Sequence, residues 1–152
     1  MIKILFVCHG NICRSPMAEF VMKDIVSKKG LDDSFHIESC ATTREEIGND
    51  IHRGTRKKLI ENNISFNPRE ARIFNKKDYE TFDYIVGMDD ENKRDLLYYT
   101  NGDPNNKIHL LLDFTEEYRD VADPWWTGNF DITYDDIVRG CNAFLKKVLE
   151  EN

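Results

Sequence analysis

The feature that most constrains this chain is a short loop sequence near the N-terminus. The apolar run Ile2–Val7 has the character of a buried strand, and the eight residues Cys8–Ser15 separate it from a segment with apolar residues at helical spacing. A loop that joins a buried strand to a helix N-terminus directs its backbone N–H groups into one small space, above the positive end of the helix dipole. The sequence therefore predicts an anion-binding loop at these eight positions.

The residue types inside this loop fit a tetrahedral anion. Gly10 and Asn11 tolerate the positive φ that a tight loop requires, and Arg14 offers a planar fork to oxyanions. Cys8 stands at the mouth of the loop, where a helix N-terminus and a cation favour the thiolate. We therefore expect Cys8 to be a thiolate nucleophile, with a buried packing role as the alternative. A cation at a helix N-terminus needs an anion, so we expect Arg14 to bind oxygen atoms.

Strand-like and helix-like segments alternate along the rest of the chain. Strands are predicted at 2–7, 35–40, 82–88 and 107–112, and helices from Pro16, at 50–60, 75–81 and 89–99, and from Thr133 onward. Expected N-caps are Ser15, Asp50 and Thr133, with Asp136 completing a capping box. Residues 113–131 show no clear pattern, and a connection of that length is typically functional. The alternation predicts an α/β fold, a parallel sheet with helices on both faces, and a site beyond the carboxyl ends of the strands.

Composition excludes several classes of function. At 152 residues the chain is expected to form a single domain, 1–152, and its 21 basic and 28 acidic residues argue against a nucleic-acid or anionic-membrane binder. No apolar run approaches the roughly twenty residues that a membrane span needs. The four cysteines lack zinc-finger spacing, so no metal or other cofactor is predicted, and free thiols fit a cytoplasmic protein.

The ten residues Val7–Pro16 carry a family resemblance. Their Gly-Asn pair, second cysteine and Ser-Pro step resemble the signature of the low-molecular-weight protein tyrosine phosphatases, and the order of segments agrees from end to end. A cysteine and an arginine at this spacing alone would be weak evidence. The resemblance implies a four-stranded, flavodoxin-like sheet and a phosphomonoesterase that hydrolyses protein phosphotyrosine or other aryl phosphates through a phosphocysteine. It makes Cys8 the nucleophile and Arg14 the oxyanion-binding residue.

The resemblance extends to an Asp-Pro pair at Asp123 and Pro124. It implies that Asp123 is the general acid that protonates the leaving oxygen and then takes a proton from water. On the residues alone an ordinary Asp-Pro turn is an equally good interpretation, and Asp120 is a weaker rival for the role. We expect Trp125 and Trp126 to desolvate the Asp123 carboxyl and to stack on an aromatic substrate.

Other loop residues receive roles through the same resemblance. Ser15 is expected to stabilise the thiolate, and Asn11 to hold the shape of the loop with Ser39 as a partner. Cys13 either packs or forms a reversible disulfide with Cys8 that protects the nucleophile from over-oxidation. The predicted substrate-binding set is His9, Gly10, Asn11, Ile12, Cys13, Ser15, Trp125 and Trp126.

The sequence departs from the family pattern in three places. The first rim loop reads Thr43–Ile47 where relatives often carry a bulky aromatic residue, and Cys40 replaces a smaller residue after Ser39. Arg69 stands where many relatives have a histidine that supports the loop, and its expected partner is Asp89. These departures affect substrate preference more than chemistry.

Three alternatives to phosphotyrosine hydrolysis follow from the sequence. An arsenate reductase of the same fold needs a relay of further cysteines, and beyond Cys13 only Cys40 and Cys141 remain. A non-catalytic phosphoprotein-binding or phosphocysteine carrier module would have no use for Asp123. Phosphoarginine or a small aryl phosphate are alternative substrates, against which the Trp125–Trp126 pair favours phosphotyrosine. The sequence does not predict an oligomeric state.

Overall fold

Four strands form one parallel sheet at the centre of the molecule. A computed structural model describes all 152 residues and places the strands at Ile2–Cys8 (β1), Phe35–Ala41 (β2), Tyr84–Gly87 (β3) and Ile108–Leu110 (β4). Their order in the sheet is β2-β1-β3-β4, and every neighbouring pair is parallel. The predicted α/β class and the flavodoxin-like order are therefore confirmed.

Six helices connect and cover these strands. They are α1 (Arg14–Lys28), α2 (Arg53–Glu61), α3 (Lys76–Thr81), α4 (Asp90–Tyr99), α5 (Pro124–Thr127) and α6 (Phe130–Glu151), with short 3-10 turns at Asp32–Ser34 and Leu111–Thr115. None of the helices combines the length and the apolar character that crossing a bilayer would require.

The central strand β1 is buried on both faces, which fixes the position of Cys8 at its end. Ile4 and Phe6 belong to a large apolar cluster that includes residues of α1 and α6, while Leu5 and Val7 belong to a second cluster on the opposite face. All four side chains are fully buried. Burial of a side chain of this size stabilises the fold by about 1.5–3 kcal/mol, so β1 forms a rigid base for the loop that follows it.

Helix α1 begins two residues earlier than predicted, at Arg14 instead of Pro16, and the expected cap at Ser15 is wrong. The N-cap position is Cys13, which makes no side-chain capping hydrogen bond, and Arg14 is the first helical residue. The Ser15 hydroxyl contacts Asn11 and Cys8 instead. Because the Ser15 hydroxyl contacts these two loop residues, it does not cap the helix.

Two further caps also differ from the predictions. Helix α2 is capped by a ring nitrogen of His52 rather than by Asp50, and α6 begins at Phe130 with Asn129 as its cap. Thr133 lies inside α6 and donates to a backbone carbonyl of the preceding loop. Asp136 is buried, and its carboxylate accepts hydrogen bonds from Arg119 and Arg139. It therefore binds these two arginines and does not form a capping box.

The segment 113–131 is more ordered than predicted. It contains the end of a 3-10 turn and the whole of α5, and its middle is fixed to the rest of the protein by backbone hydrogen bonds. The N–H of Val121 donates to the carbonyl of Met88 at 2.8 Å, and the N–H of Ala122 donates to Asp136 at 3.0 Å. These bonds hold the segment beside the carboxyl end of β3.

The packing of α6 against the turn after β4 gives a test of the fold. A methyl group added at Gly140 would lie 2.5 Å from Cγ of Leu111, a fully buried side chain. We expect Gly140→Ala to lower the free energy of unfolding by about 1–3 kcal/mol, although alanine normally favours a helix. Urea titration measures this change. Lys146→Ala, at an exposed position of the same helix, is the control, and equal stability of the two variants would contradict the contact.

Candidate active site

Cys8 lies at the carboxyl end of β1, with its sulfur surrounded by hydrogen-bond donors of the following loop. The backbone N–H groups of Asn11 and Ser15 lie 3.3 and 3.4 Å from Sγ, and the Ser15 hydroxyl oxygen lies 3.0 Å from it. Only 3% of Cys8 is exposed. The arrangement suits a negatively charged sulfur, because one N–H of the loop and one N–H of the first turn of α1 point at it.

Asn11 connects the loop to the rest of the protein. Its backbone is left-handed, with a φ of 59°, and its side chain is fully buried. The side-chain amide donates to Ser15 Oγ at 2.8 Å and to Ser39 Oγ at 2.9 Å, so the expected contact with Ser39 is present. Its carbonyl oxygen Oδ1 accepts from the backbone N–H of Arg72 at 3.3 Å. Asn11 and Ser15 thus support the loop from behind, and neither side chain lines the cavity.

Arg69 supports the same loop, and its expected pairing with Asp89 is wrong. Its guanidinium donates to the backbone carbonyl of Asn11 and, at 3.2 Å, to that of Asn49. Asp89 instead lies 2.9 Å from Nη1 of Arg14. Arg14 is almost fully buried, so its need for a countercharge outweighs that of the partly exposed Arg69.

Arg14 is held by groups from two other segments of the chain. Besides Asp89, which follows β3, it contacts Asp123 Oδ2 at 3.3 Å and donates to the Val121 carbonyl at 3.3 Å. Burial by itself would lower the pKa of Arg14, but the negative charges of Cys8, Asp123 and Asp89 outweigh it and raise the pKa above its usual value. The guanidinium therefore stays charged beside the loop.

The two carboxylate oxygens of Asp123 make different contacts, one with the backbone of α5 and one with Arg14. Oδ1 accepts the N–H of Trp125 at 3.0 Å and so caps the short helix α5, while Oδ2 faces Arg14. Its side chain is 27% exposed. The rival Asp120 accepts a hydrogen bond from the N–H of Asp90 at 3.0 Å, which ties it to the start of α4.

The loop opens into a cavity of about 730 Å³. The predicted site residues on its walls are Cys8, His9, Gly10, Ile12, Cys13, Arg14, Asp123, Trp125 and Trp126. The two indole side chains are 72% and 82% exposed. They line the mouth, so they do not provide the burial of Asp123 that the sequence led us to expect.

Acidic residues that were not in the predicted site set surround the rest of the mouth. His9 lies between two of them, with Nε2 2.8 Å from Glu45 and Nδ1 3.9 Å from Glu91. Glu46, Asp89 and Asp90 also line the cavity. A signal for Asp89 was present in the sequence, because it directly follows β3 and the carboxyl ends of neighbouring parallel strands share one edge.

The other three cysteines differ from Cys8 in their surroundings. Burial, aided by the charges of Cys8 and Asp123, raises the pKa of Cys13 to about 12. Burial also raises the pKa of Cys40 and of Cys141 well above the usual range. All four are free thiols in this structure, and these three are held in the protonated form at neutral pH.

The fold and the loop define a flavodoxin-like protein with a cysteine-containing loop and a cavity at the carboxyl edge of its sheet. The family model for the low molecular weight phosphotyrosine protein phosphatase matches residues 3–152. The low molecular weight protein-tyrosine-phosphatase YfkJ of Bacillus subtilis is 40% identical over 153 residues, with 99% of this chain and 98% of the relative covered.

Solved structures agree with the sequence match. The crystal structure of YfkJ superposes with a TM-score of 0.97, covering 100% of this chain and 97% of that one. A low molecular weight protein tyrosine phosphatase from Streptococcus pyogenes is 42% identical with a TM-score of 0.87, covering 97% and 93% of the two chains. A Drosophila arginine phosphatase is 29% identical with a TM-score of 0.88, covering 97% and 98%. The chain belongs to the low-molecular-weight protein tyrosine phosphatase family.

The thiol environments predict selective chemical labelling. At pH 7 a thiol with a pKa of about 12 is ionised in only about 10⁻⁵ of molecules, so iodoacetamide is expected to label Cys8 first and Cys13 far more slowly. Peptide mapping by mass spectrometry identifies the labelled residue. Urea-denatured protein, in which all four thiols react, is the control. Equal labelling of Cys13 and Cys8 in the folded protein would contradict the expectation that Cys8 is the reactive thiol.

Proposed function

We propose that this phosphatase acts through a covalent phosphocysteine at Cys8, on protein phosphotyrosine or other aryl phosphates. The observation that supports the proposal most directly is the presence of Cys8, Arg14 and Asp123 on the walls of one cavity, although Asp123 is 109 residues away from Arg14 in the sequence. Each has a feature that the chemistry needs: donors around a sulfur, a fixed positive charge, and a partly exposed carboxyl group.

In the first step the thiolate of Cys8 attacks phosphorus and forms a sulfur–phosphorus bond. The bond between phosphorus and the aryl oxygen breaks, and Asp123 gives its proton to that oxygen, so the phenol leaves without charge. Arg14 and the loop N–H groups bind the non-bridging oxygens, where negative charge is concentrated in the transition state. The protein thus supplies positive charge through groups that are already in place.

In the second step water attacks phosphorus from the side that the phenol has left. Asp123, now a carboxylate, takes a proton from this water, and the sulfur–phosphorus bond breaks. The products are inorganic phosphate and the Cys8 thiolate. The Ser15 hydroxyl, 3.0 Å from Sγ, is placed to donate to the thiolate as it leaves.

Hydrolysis of p-nitrophenyl phosphate in the presence of a chelator tests this mechanism. Cys8→Ser should lose at least about 1,000-fold in kcat, because a neutral hydroxyl replaces the thiolate. Asp123→Asn keeps an N-cap for α5 but has no carboxyl proton to give, so kcat should fall about 100- to 1,000-fold.

Asp120→Asn is the matched control for the loss of a carboxylate at the same cavity, and it should retain most of the activity. A folded, reduced wild-type protein without turnover, or an active Cys8→Ser variant, would contradict the mechanism.

Phosphoarginine in proteins is a second candidate substrate, supported by two observations. One of the similar structures is named an arginine phosphatase. The mouth of the cavity also carries Glu45, Glu46 and Glu91, whose charges suit a guanidinium group better than a phenyl ring. The exposed Trp125 and Trp126 favour an aromatic substrate, because an indole offers a flat surface for stacking.

Matched phosphopeptides distinguish the two substrates. We expect a phosphotyrosine peptide to have a higher kcat/KM than the same peptide with phosphoarginine or phosphoserine. Trp125→Ala and Trp126→Ala should lower kcat/KM for phosphotyrosine by about 3- to 10-fold through the lost stacking. Release of inorganic phosphate measures all three reactions. Faster hydrolysis of phosphoarginine would assign the acidic mouth to substrate recognition and overturn the preference for phosphotyrosine.

The other two functions considered from the sequence have less support. Cys40 and Cys141 are fully buried, so a relay of cysteines for arsenate reduction would require both to leave the core. A non-catalytic module would not need Asp123 to face Arg14.

We propose further that Cys13 protects Cys8 after oxidation. If peroxide converts Cys8 to a sulfenic acid, the Cys13 thiol displaces water from it and a disulfide forms. Both residues line the same cavity, which supports this pairing. The four unpaired thiols also support a reducing compartment such as the cytoplasm, and we propose that residues 1–152 act as one catalytic domain.

A further inference from the structure

Two buried side chains of α6 bind the residue that precedes Asp123. The Thr133 hydroxyl donates to the carbonyl oxygen of Ala122 at 2.7 Å, and Asp136 Oδ2 accepts the Ala122 N–H at 3.0 Å. Thr133 is fully buried, and only 1% of Asp136 is exposed. Neither residue lines the cavity. Helix α6 therefore binds both polar backbone groups of Ala122 from behind the site.

Asp136 is itself held in position by two arginines. Arg119 donates to its Oδ2 at 3.0 Å and to its Oδ1 at 2.7 Å, and Arg139 donates to Oδ1 at 2.7 Å. Arg119 belongs to the same segment as Ala122, and it also donates to the Asp120 carbonyl at 3.0 Å. The segment is thus folded around one buried carboxylate, which cannot move without the loss of several charge-assisted hydrogen bonds.

A bound substrate affects the contacts with α6 and the contacts with Arg14 differently. Arg14 donates to the Val121 carbonyl and contacts Asp123 Oδ2, both at 3.3 Å. In the proposed mechanism the phosphate oxygens take up the guanidinium, so these two long contacts weaken as the substrate binds. Thr133 and Asp136 lie outside the cavity, where no group of the substrate competes for them. They still hold the segment when the contact between Arg14 and Asp123 is lost.

We propose that Thr133 and Asp136 are positioning residues, which fix the peptide bond between Ala122 and Asp123 so that the Asp123 carboxyl meets the leaving oxygen of the substrate. The proposal rests on the proposed role of Asp123 as the general acid. Proton transfer requires the two oxygen atoms to lie within hydrogen-bond distance, so even a small shift of the segment slows it. Thr133 and Asp136 act only through the backbone and transfer no proton themselves.

The leaving group of the substrate separates this role from a general loss of structure. A phenolate is a strong base that needs a proton as it leaves, whereas 2,4-dinitrophenolate is a weak base that leaves without one. The measurement is kcat/KM for phenyl phosphate and for the corresponding dinitrophenyl phosphate. A misplaced general acid lowers only the first of these values, while a disturbed Cys8–Ser15 loop lowers both.

Thr133→Val removes the hydroxyl donor and nearly keeps the shape of the side chain. We expect kcat/KM for phenyl phosphate to fall about 10-fold, and that for dinitrophenyl phosphate to change by less than about 2-fold. Thr133→Ser retains a hydroxyl and should keep phenyl phosphate hydrolysis within about 3-fold of the wild-type value. Asp123→Asn should also lower the phenyl phosphate value selectively, and Thr133→Val should add little in that background.

Asp136→Asn tests the second contact with Ala122. An amide NH2 group replaces one carboxylate oxygen, and because Arg119 donates to both oxygens, the new group meets a donor in either orientation. The backbone N–H of Ala122 is then held less firmly, and the same selective loss on phenyl phosphate is expected. Thermal unfolding checks that each variant is folded, and Asp136→Asn provides the test alone if Thr133→Val is not.

Thr100→Val is the matched control. Thr100 is a buried threonine at the end of α4, and its hydroxyl also donates to a backbone carbonyl, that of Leu96 at 2.8 Å. It does not line the cavity. The variant loses the same kind of hydrogen bond as Thr133→Val, and it should leave both kcat/KM values unchanged.

The outcomes are distinct. A loss in Thr133→Val that is confined to phenyl phosphate, is reversed in Thr133→Ser and is absent in the Asp123→Asn background supports the proposal. An equal loss on both substrates, no loss in a folded variant, or the same selective loss in Thr100→Val overturns it. Asp123→Asn alone reports on the proposed function: if it leaves the ratio of the two values unchanged, the general-acid role is contradicted, and the positioning role with it.

Discussion

The buried guanidinium of Arg14 is the constraint on which the site depends. It stands at the amino end of α1, where the helix dipole is unfavourable to a cation, and only 3% of it is exposed. Such a charge requires anionic partners, and it has them in Asp89, which follows β3, and in Asp123, which lies in the segment 113–131 after β4. Three loops from the carboxyl edge of the sheet are thereby brought to one point, and the cavity lies between them.

Asn11 holds the shape of the loop Cys8–Ser15. It occupies a left-handed conformation that asparagine tolerates better than most residues, and its amide and carbonyl groups are all used. Arg69 binds its backbone carbonyl, Arg72 binds its side-chain oxygen, and Ser15 and Ser39 accept its amide protons. Contacts from both sides of the loop hold its N–H groups toward Cys8.

Local sequence patterns were enough to predict the sheet and the loop. The helix caps and the ion pairs were not predicted correctly, because they depend on contacts with other residues that no local pattern shows. The order of strands and the position of Cys8 follow from hydrophobic runs and from the family resemblance. Ser15 looked like a helix cap because Ser-Pro is a good local signal, but Asn11 and Cys8 compete for its hydroxyl. The pairing of Arg14 with Asp89 joins residues 75 positions apart, and no local pattern distinguishes it from the pairing with Arg69 that we expected.

The two carboxylates on Arg14 are not equivalent, and the difference suits the proposed reaction. Asp89 lies closer, at 2.9 Å, and its side chain is 18% exposed, while Asp123 lies at 3.3 Å and is 27% exposed. A phosphate that enters the loop competes for the same guanidinium, and the longer, more hydrated contact is the easier one to replace. Asp89 would then keep Arg14 in position while Asp123 is released toward the leaving oxygen. Binding of the substrate would thus free the carboxyl group that the proposed chemistry uses next.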